Sequence, residues 1–343
     1  MDPLLPIEIN IILALQNLAA WLEPPMELLS FLGTEDAFMV IMPFLYWCLD
    51  AGWGLRVGLM LLLTNGLNAY LKLAFHSPRP YWFDPRVTAF SAETSYGLPS
   101  GHAQNAISIW GLLGFGLRQR WKVRPAFGLA LLLAALIGFS RLYLGVHFLR
   151  DVLAGWLIGG LLLALFVRWM DPVRDWFLAR SFRAQMLLLA ASSLVLIAVM
   201  LIVYAFAGSW AVPAAWAANA AAAAPDDPID PASLEGIFTV AGTWLGVTVG
   251  AAWFYRRHGG FDASGSALQK LVRYLIGVAG VLVLYLGLGM LFPDRADVTS
   301  YALRFLRYSF IGLWVTALAP LIFVRAGLAH RSWEKQPLPA SSD

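Results

Sequence analysis

Long apolar runs recur along this chain, and they constrain its fold more than any other feature. Ten of them lie near residues 5–22, 28–50, 55–75, 102–117, 125–143, 148–168, 184–207, 236–255, 274–292 and 305–325. Several reach the roughly 17–25 residues that carry a helix across a bilayer. None alternates apolar and polar residues as the strands of a membrane barrel do. Charged residues are only 13% of the chain, against about 25% in soluble domains. The expected fold is all-α, a polytopic helical membrane protein. The first run holds Glu8, Asn10 and Gln16, so it either spans or lies along the interface as an amphipathic helix. The single cysteine, Cys48, excludes an intramolecular disulfide or a cysteine-based metal cluster. The opening stretch "MDPLLPIEIN" has no basic region, so no cleavable secretory signal is expected.

Charge placement orients the helices. Of the 24 Lys and Arg residues, sixteen fall in one set of alternate loops: Arg56, the 118–124 and 168–183 groups, Arg256, Arg257, Lys270, Arg273, Arg325, Arg331 and Lys335. The other eight are Lys72, Arg79, Arg86, Arg141, Arg150, Arg295, Arg304 and Arg307, on the side that also carries Glu23, Glu27, Glu35 and Asp36. The positive-inside rule makes the first set cytoplasmic. Both termini are then cytoplasmic if the first run spans.

Four polar clusters sit at the outer ends of helices in the first half: "KLAFHSPRP" at 72–80, "PSGH" at 99–102, "SRLYLGVH" at 140–147 and "HFLRD" at 147–151. Charges at the edge of an apolar span are costly and usually functional. Lys72, Arg79 and Arg141 therefore point to a phosphate site, since Arg matches the fork of phosphate oxygens and Lys adds a point charge. Any one of these cations alone fits a snorkelling side chain. The group of three beside two histidines does not. Ser100 and Gly101 open the helix that begins at His102, where unpaired N–H groups favour an anion. His147 and Asp151 are one helical turn apart, and a carboxylate behind an imidazole fixes its tautomer. Alone, that pair reads as a stabilising contact. With a second histidine and dense positive charge it reads as phosphoryl-transfer machinery, one histidine attacking and the other donating a proton. Glu93 and Asp84 stand apart in the loop, so no metal site and no cofactor are expected.

These residues carry a resemblance. "KLAFHSPRP" fits Lys-x6-Arg-Pro, "PSGH" is complete, and "SRLYLGVHFLRD" fits Ser-Arg-x5-His-x3-Asp. The three-part signature resembles the type 2 phosphatidic acid phosphatase superfamily, and the wider context "ETSYGLPSGHAQNA" resembles its sphingosine-1-phosphate phosphatase branch and bacterial relatives. The resemblance implies a six-helix phosphatase core within residues 1–170, and about four extra transmembrane helices of open role in residues 171–343. It also implies that His147 is the nucleophile that becomes a phosphohistidine, oriented by Asp151. His102 would be the general acid and then the base. Lys72, Arg79, Ser100, Gly101 and Arg141 would hold the phosphate.

The reaction implied is metal-independent hydrolysis of a lipid phosphomonoester or diphosphate at the outer membrane face. An alcohol acceptor in place of water would make the same site a lipid phosphotransferase. A transporter or scramblase with a vestigial motif is disfavoured by the near absence of ionisable residues within the last four runs. The expected partners are a lipid phosphate and the bilayer, with no nucleic acid. Gly242, Gly246 and Gly250 recur every fourth residue, a small-residue stripe that suits packing within the chain or, alternatively, a homodimer interface. The Ala-rich outer loop at 211–225 reads as a flexible or partly helical cap. An Ala- and Arg-rich composition with few Lys is bacterial in character, which would make the membrane an inner one and the site periplasmic.

Overall fold

The computed structural model describes residues 4–207, 209–292 and 296–332. Arg295 and Lys335, counted above, lie outside them, as do the first three residues of the opening stretch. The helices run in order α1 (Leu5–Gln16), α2 (Glu23–Phe31), α3 (Glu35–Phe44), α4 (Ala51–Phe75) and α5 (Pro80–Phe83). Next come α6 (Gly101–Asn105), α7 (Gly111–Arg120), α8 (Ala126–Tyr143), α9 (Leu149–Leu178) and α10 (Phe182–Ala207). The rest are α11 (Ala214–Ala223), α12 (Glu235–His258), α13 (Ala267–Leu291), α14 (Val298–Leu313) and α15 (Ala319–Arg325). The described residues also contain two two-residue strands, β1 (Phe261–Asp262) and β2 (His330–Arg331), paired antiparallel. Otherwise the fold is helical.

Among the described residues, seven helical stretches are long and apolar enough to cross a membrane: Ala51–Phe83, Ala126–Tyr143, Leu149–Leu178, Phe182–Ala207, Glu235–His258, Ala267–Leu291 and Val298–Arg325. An eighth arises only if α1 and residues 20–31, bent by 94°, count as one broken span. Three of the ten apolar runs are not among these seven: the first, whose helix ends at Gln16, and two that depart from expectation. The run at 28–50 is not one helix. Thr34 caps a new helix by accepting the Ala37 N–H at 3.1 Å, and Asp50 adopts extended backbone before α4. The run at 102–117 lies in a helical stretch from Gly101 to Arg120 with one π-turn at Ala106–Trp110. Its first turn carries His102, Gln104 and Asn105, and it is not among the seven.

The described residues group into two compact units, and the grouping does not follow a single cut at residue 171. The first comprises residues 1–38, 63–171 and 199–233; the second comprises 39–62, 172–198 and 234–343.

In the first unit, the amino-terminal half of α9 lies hard against α6. A Cβ at Gly155 would collide with the Ser100 carbonyl, and one at Gly159 with the Gln104 carbonyl. A buried amide network joins α6 to α4. Gln104 Nε2 donates to Thr64 O at 2.8 Å and Oγ1 at 2.9 Å, while Asn68 Nδ2 donates to Gln104 Oε1 at 3.0 Å and to Pro99 O at 3.2 Å. Buried polar groups stay buried only when paired in this way.

The amino-terminal helices brace the same unit. Glu8 of α1 accepts the Arg150 N–H at 2.9 Å, and Gln16 donates to Thr88 O at 2.8 Å. The Ala-rich loop folds as α11 against α5, where Asn219 Nδ2 donates to Trp82 O at 2.9 Å.

In the second unit the glycine stripe of α12 packs on α14 and the turn after it, with a Cβ at Gly246 colliding with the Ser309 carbonyl. Close approach of two apolar helices needs residues of that size. Thr316 Oγ1 donates to Val247 O at 2.9 Å across the contact.

Candidate active site

Lys72, Arg79, Ser100, Gly101, His102, Arg141, His147 and Asp151 all lie in the first unit. Local chain geometry explains how each is presented. Ser100 is the N-cap of α6, its backbone extended and its hydroxyl accepting the Ala103 N–H at 3.4 Å. Its own N–H donates to the Asp151 carbonyl at 2.9 Å, which ties "PSGH" to the start of α9. Gly101 begins α6, and the next side chain, His102, is 17% exposed. Arg141 sits in the last turn of α8, and His147 lies in the short connection from α8 to α9.

The centre of the site is almost dry. Arg79 and Asp151 are fully buried, and Arg141 and His147 are 1% exposed. Arg79 spends every donor nitrogen. Its Nε reaches Ser95 O at 2.6 Å, Nη1 reaches Val146 O at 3.1 Å and His147 Nε2 at 3.2 Å, and Nη2 reaches Tyr96 O at 3.2 Å and Glu93 Oε2 at 3.3 Å. Behind the imidazole, His147 Nδ1 lies 3.3 Å from Asp151 Oδ2, which also accepts the Phe148 N–H at 3.0 Å.

These contacts fix the tautomer of His147. A guanidinium only donates, so Nε2 facing Arg79 must be the unprotonated acceptor. The proton is then on Nδ1 and points at Asp151. Burial, then the positive charges of Arg79 and Arg141, push this imidazole well below the ordinary value of 6.5. The ring is then neutral, and its Nε2 lone pair is held by the Arg79 guanidinium.

Three residues outside the motifs complete the site. Ser95 Oγ accepts from Lys72 Nζ at 2.8 Å and from Arg79 Nη2 at 3.1 Å. Ser30 of α2 accepts from Arg141 Nη1. Glu93 does not stand apart in its loop. Its Oε1 accepts from Arg141 Nη2, its Oε2 pairs with Arg79, and Oε1 lies 3.9 Å from His102 Nδ1. Burial would raise its carboxyl, but Arg79 and Arg141 reverse that and hold it far below the usual carboxylate range. The loop beyond α10 reaches the same place. Asp230 N–H donates to Thr94 O at 3.2 Å, and His76 Nε2 lies 2.7 Å from Ala207 O.

A helical chain with spanning-length helices brings two histidines, a carboxylate behind one of them and three cations together in one site. The comparisons place it further. The PAP2 superfamily profile matches residues 53–175, and the profile of the PAP2 superfamily phosphatase transmembrane extension matches residues 238–331. Over these two regions the chain is similar to proteins of the PAP2 superfamily.

Among curated relatives, phosphatidylglycerophosphatase B of Bacillus subtilis (strain 168) is 37% identical over 123 residues, covering 33% of this chain and 58% of the relative. Sphingosine-1-phosphate phosphatase 1 of Rattus norvegicus is 32% identical over 149 residues, covering 41% and 34%. The chain spans less than two thirds of the length of the curated relatives it matches. Among solved structures, a transmembrane PAP2 type phosphatidylglycerolphosphate phosphatase from Bacillus subtilis superposes with a TM-score of 0.44 at 26% identity, covering 50% of this chain and 89% of that one. The cap loop between α10 and α12 lies between the two matched regions.

Proposed function

We propose that this chain is an integral-membrane phosphatase that hydrolyses a lipid phosphomonoester or diphosphate through a phosphohistidine formed on His147. The observation that carries the reading is the state of that ring: Nδ1 facing Asp151 at 3.3 Å and a lone pair on Nε2 beside Arg79 at 3.2 Å. In the first step Nε2 bonds to phosphorus, the ester P–O bond breaks, and His102 gives its proton to the leaving oxygen. The Nδ1 proton stays on the ring, and the positive charge that develops there is balanced by Asp151. Lys72, Arg79 and Arg141, with the Ser100 hydroxyl and the Gly101 backbone, take the charge on the phosphoryl oxygens. In the second step His102 accepts a proton from water, which attacks phosphorus and frees His147.

The excess of Lys and Arg in the opposite loops supports an outward-facing site, periplasmic if the membrane is a bacterial inner one. Helices of spanning length and apolarity among the described residues suit a substrate whose tail stays in the bilayer. The relatives' names, phosphatidylglycerophosphatase and sphingosine-1-phosphate phosphatase, support a lipid phosphate as the substrate class. The test is phosphate release from phosphatidate, phosphatidylglycerol phosphate, isoprenoid diphosphate and sphingoid-base phosphate, in chelator, by wild type and His147→Ala. Release by wild type alone is expected. Silence across the panel, or equal release by both, would reject the reading.

A further inference from the structure

Glu93 is a carboxylate that pairs with both Arg79 and Arg141 beside His102, and no step above uses it. Its backbone is held from both sides. Tyr81 Oη donates to Glu93 O at 3.0 Å and accepts the Glu93 N–H at 3.1 Å. The following residues are pinned by Asp230 on Thr94 and by Lys72 and Arg79 on Ser95. Only the side chain is left to move. Its two oxygens hold the Nη2 groups of Arg79 and Arg141, the same kind of donor pair that a phosphate would take.

His102 has the complementary need. To release a proton to a leaving alkoxide it must carry one on each ring nitrogen, and Arg141, Lys72 and Arg79 all face it with positive charge. Glu93 supplies negative charge to the same imidazole, with Oε1 3.9 Å from Nδ1.

Building on the phosphatase reading, we propose that Glu93 is the positioning residue of His102: it occupies the guanidinium pair in the free enzyme and, when phosphate takes those donors, turns to hold Nδ1–H of the imidazolium. No proton or covalent bond passes through Glu93. His102 loses its Nε2 proton to the leaving oxygen and regains one from water, while the carboxylate fixes the ring's direction. The site then contains two His–carboxylate pairs, His147 with Asp151 and His102 with Glu93, one serving attack and the other departure.

The test compares wild type and Glu93→Gln on a lipid alkyl phosphate and on p-nitrophenyl phosphate, with inorganic phosphate as competitor. General acid catalysis contributes about 10²–10⁴-fold. Glu93→Gln should therefore lower kcat on the alkyl phosphate by about 10- to 100-fold. On p-nitrophenyl phosphate, whose leaving group needs no proton, the first-turnover burst of p-nitrophenolate should change in rate less than about threefold. Inorganic phosphate should inhibit the variant more strongly, because its internal competitor has lost its charge. In a His102→Ala background the same change should cost nothing further on the alkyl phosphate.

An equal loss in the alkyl phosphate rate and in the p-nitrophenolate burst, with unaltered phosphate inhibition, would overturn the proposal. So would a further loss in the His102→Ala background, which would make Glu93 a structural tie for the arginines. A wild type silent on both substrates would reject the phosphatase reading and this inference with it.

Discussion

Arg79 Nη1 lies 3.2 Å from His147 Nε2, and that contact sets the protonation state of the ring. Because the guanidinium has no lone pair to offer, the imidazole must accept there and donate through Nδ1 to Asp151. Asp151→Asn keeps the shape but removes the charge, and its amide can present a donor to Nδ1 instead. We expect kcat to fall by at least about tenfold, since the ring loses the counter-charge that develops against it. Steady-state kinetics checks this, and normal turnover in the variant would contradict the tautomer assignment.

The pH profile follows from the same surroundings. Burial first, and then the charges of Arg79 and Arg141, hold His147 below the ordinary imidazole value of 6.5. A nucleophile must be unprotonated, so the ring stays competent as pH falls through the usual imidazole range. Titration of His147 should therefore place the acid limb of kcat/KM below pH 6.5. Stability carries the opposite demand. Between the two values the unfolded chain binds the proton that folded His147 refuses, so this group's contribution declines as pH drops below the ordinary range. Thermal unfolding in detergent across acidic pH reads that slope.

Arg141 bridges Ser30 on α2 and Glu93 in the loop. Arg141→Ala leaves both without that donor and removes one of three cations from the site. Vanadate, an anion shaped like the transferring phosphoryl group, should then inhibit at least about tenfold less well, as expected for loss of a charged hydrogen-bond donor worth roughly 1.5–3 kcal/mol. Normal turnover and normal vanadate inhibition would contradict its assignment to the phosphate cradle.

Gln104 joins α6 to α4 through Thr64 and Asn68. Gln104→Leu fills similar space but leaves Asn68 Nδ2 and the Thr64 carbonyl without that partner in a dry interior. Each such group costs about 1–3 kcal/mol. The variant should unfold at lower temperature and lose activity, since "PSGH" hangs on the same network through Asn68 and Pro99. An unchanged melting temperature would show that the network does not hold the helices.

Metal removal should do nothing. Glu93 is engaged by two guanidinium groups and Asp151 by His147, so neither carboxylate is offered to a divalent cation. Activity measured after exhaustive EDTA treatment should equal the untreated rate, and a loss restored by added metal would contradict the chemistry proposed.

The sequence made the helical membrane class and the motif residues legible for a physical reason. Apolar run length is a direct response to bilayer thickness. His147 and Asp151, expected one turn apart on a helix, meet instead because Asp151 in the first turn of α9 reaches back to the connection that carries His147. Lys72, Arg79, Ser100, His102 and Arg141 converge because four chain segments end near one another, which motif order suggested but could not measure. Glu93, Ser95 and Ser30 were not legible, because a loop glutamate or a helix serine has no periodic signature. One signal was available for Glu93: three buried cations call for a counter-charge, and "ETSYGLPSGH" begins with it. The run at 28–50 misled because apolar content hid the cap at Thr34 and the Pro43 inside α3. The Ala-rich loop gave no hint that Asn219 and Asp230 would reach the segments carrying site residues.

The most direct measurement is to trap the covalent intermediate. Protein incubated briefly with a lipid phosphate labelled at phosphorus is quenched in alkaline detergent, where phosphohistidine survives, and the labelled peptide is sequenced by mass spectrometry. The account predicts label on His147 in wild type, more of it in His102→Ala supplied with a good leaving group, and none in His147→Ala. Label on another residue, or phosphate release by His147→Ala at the wild-type rate, would contradict it.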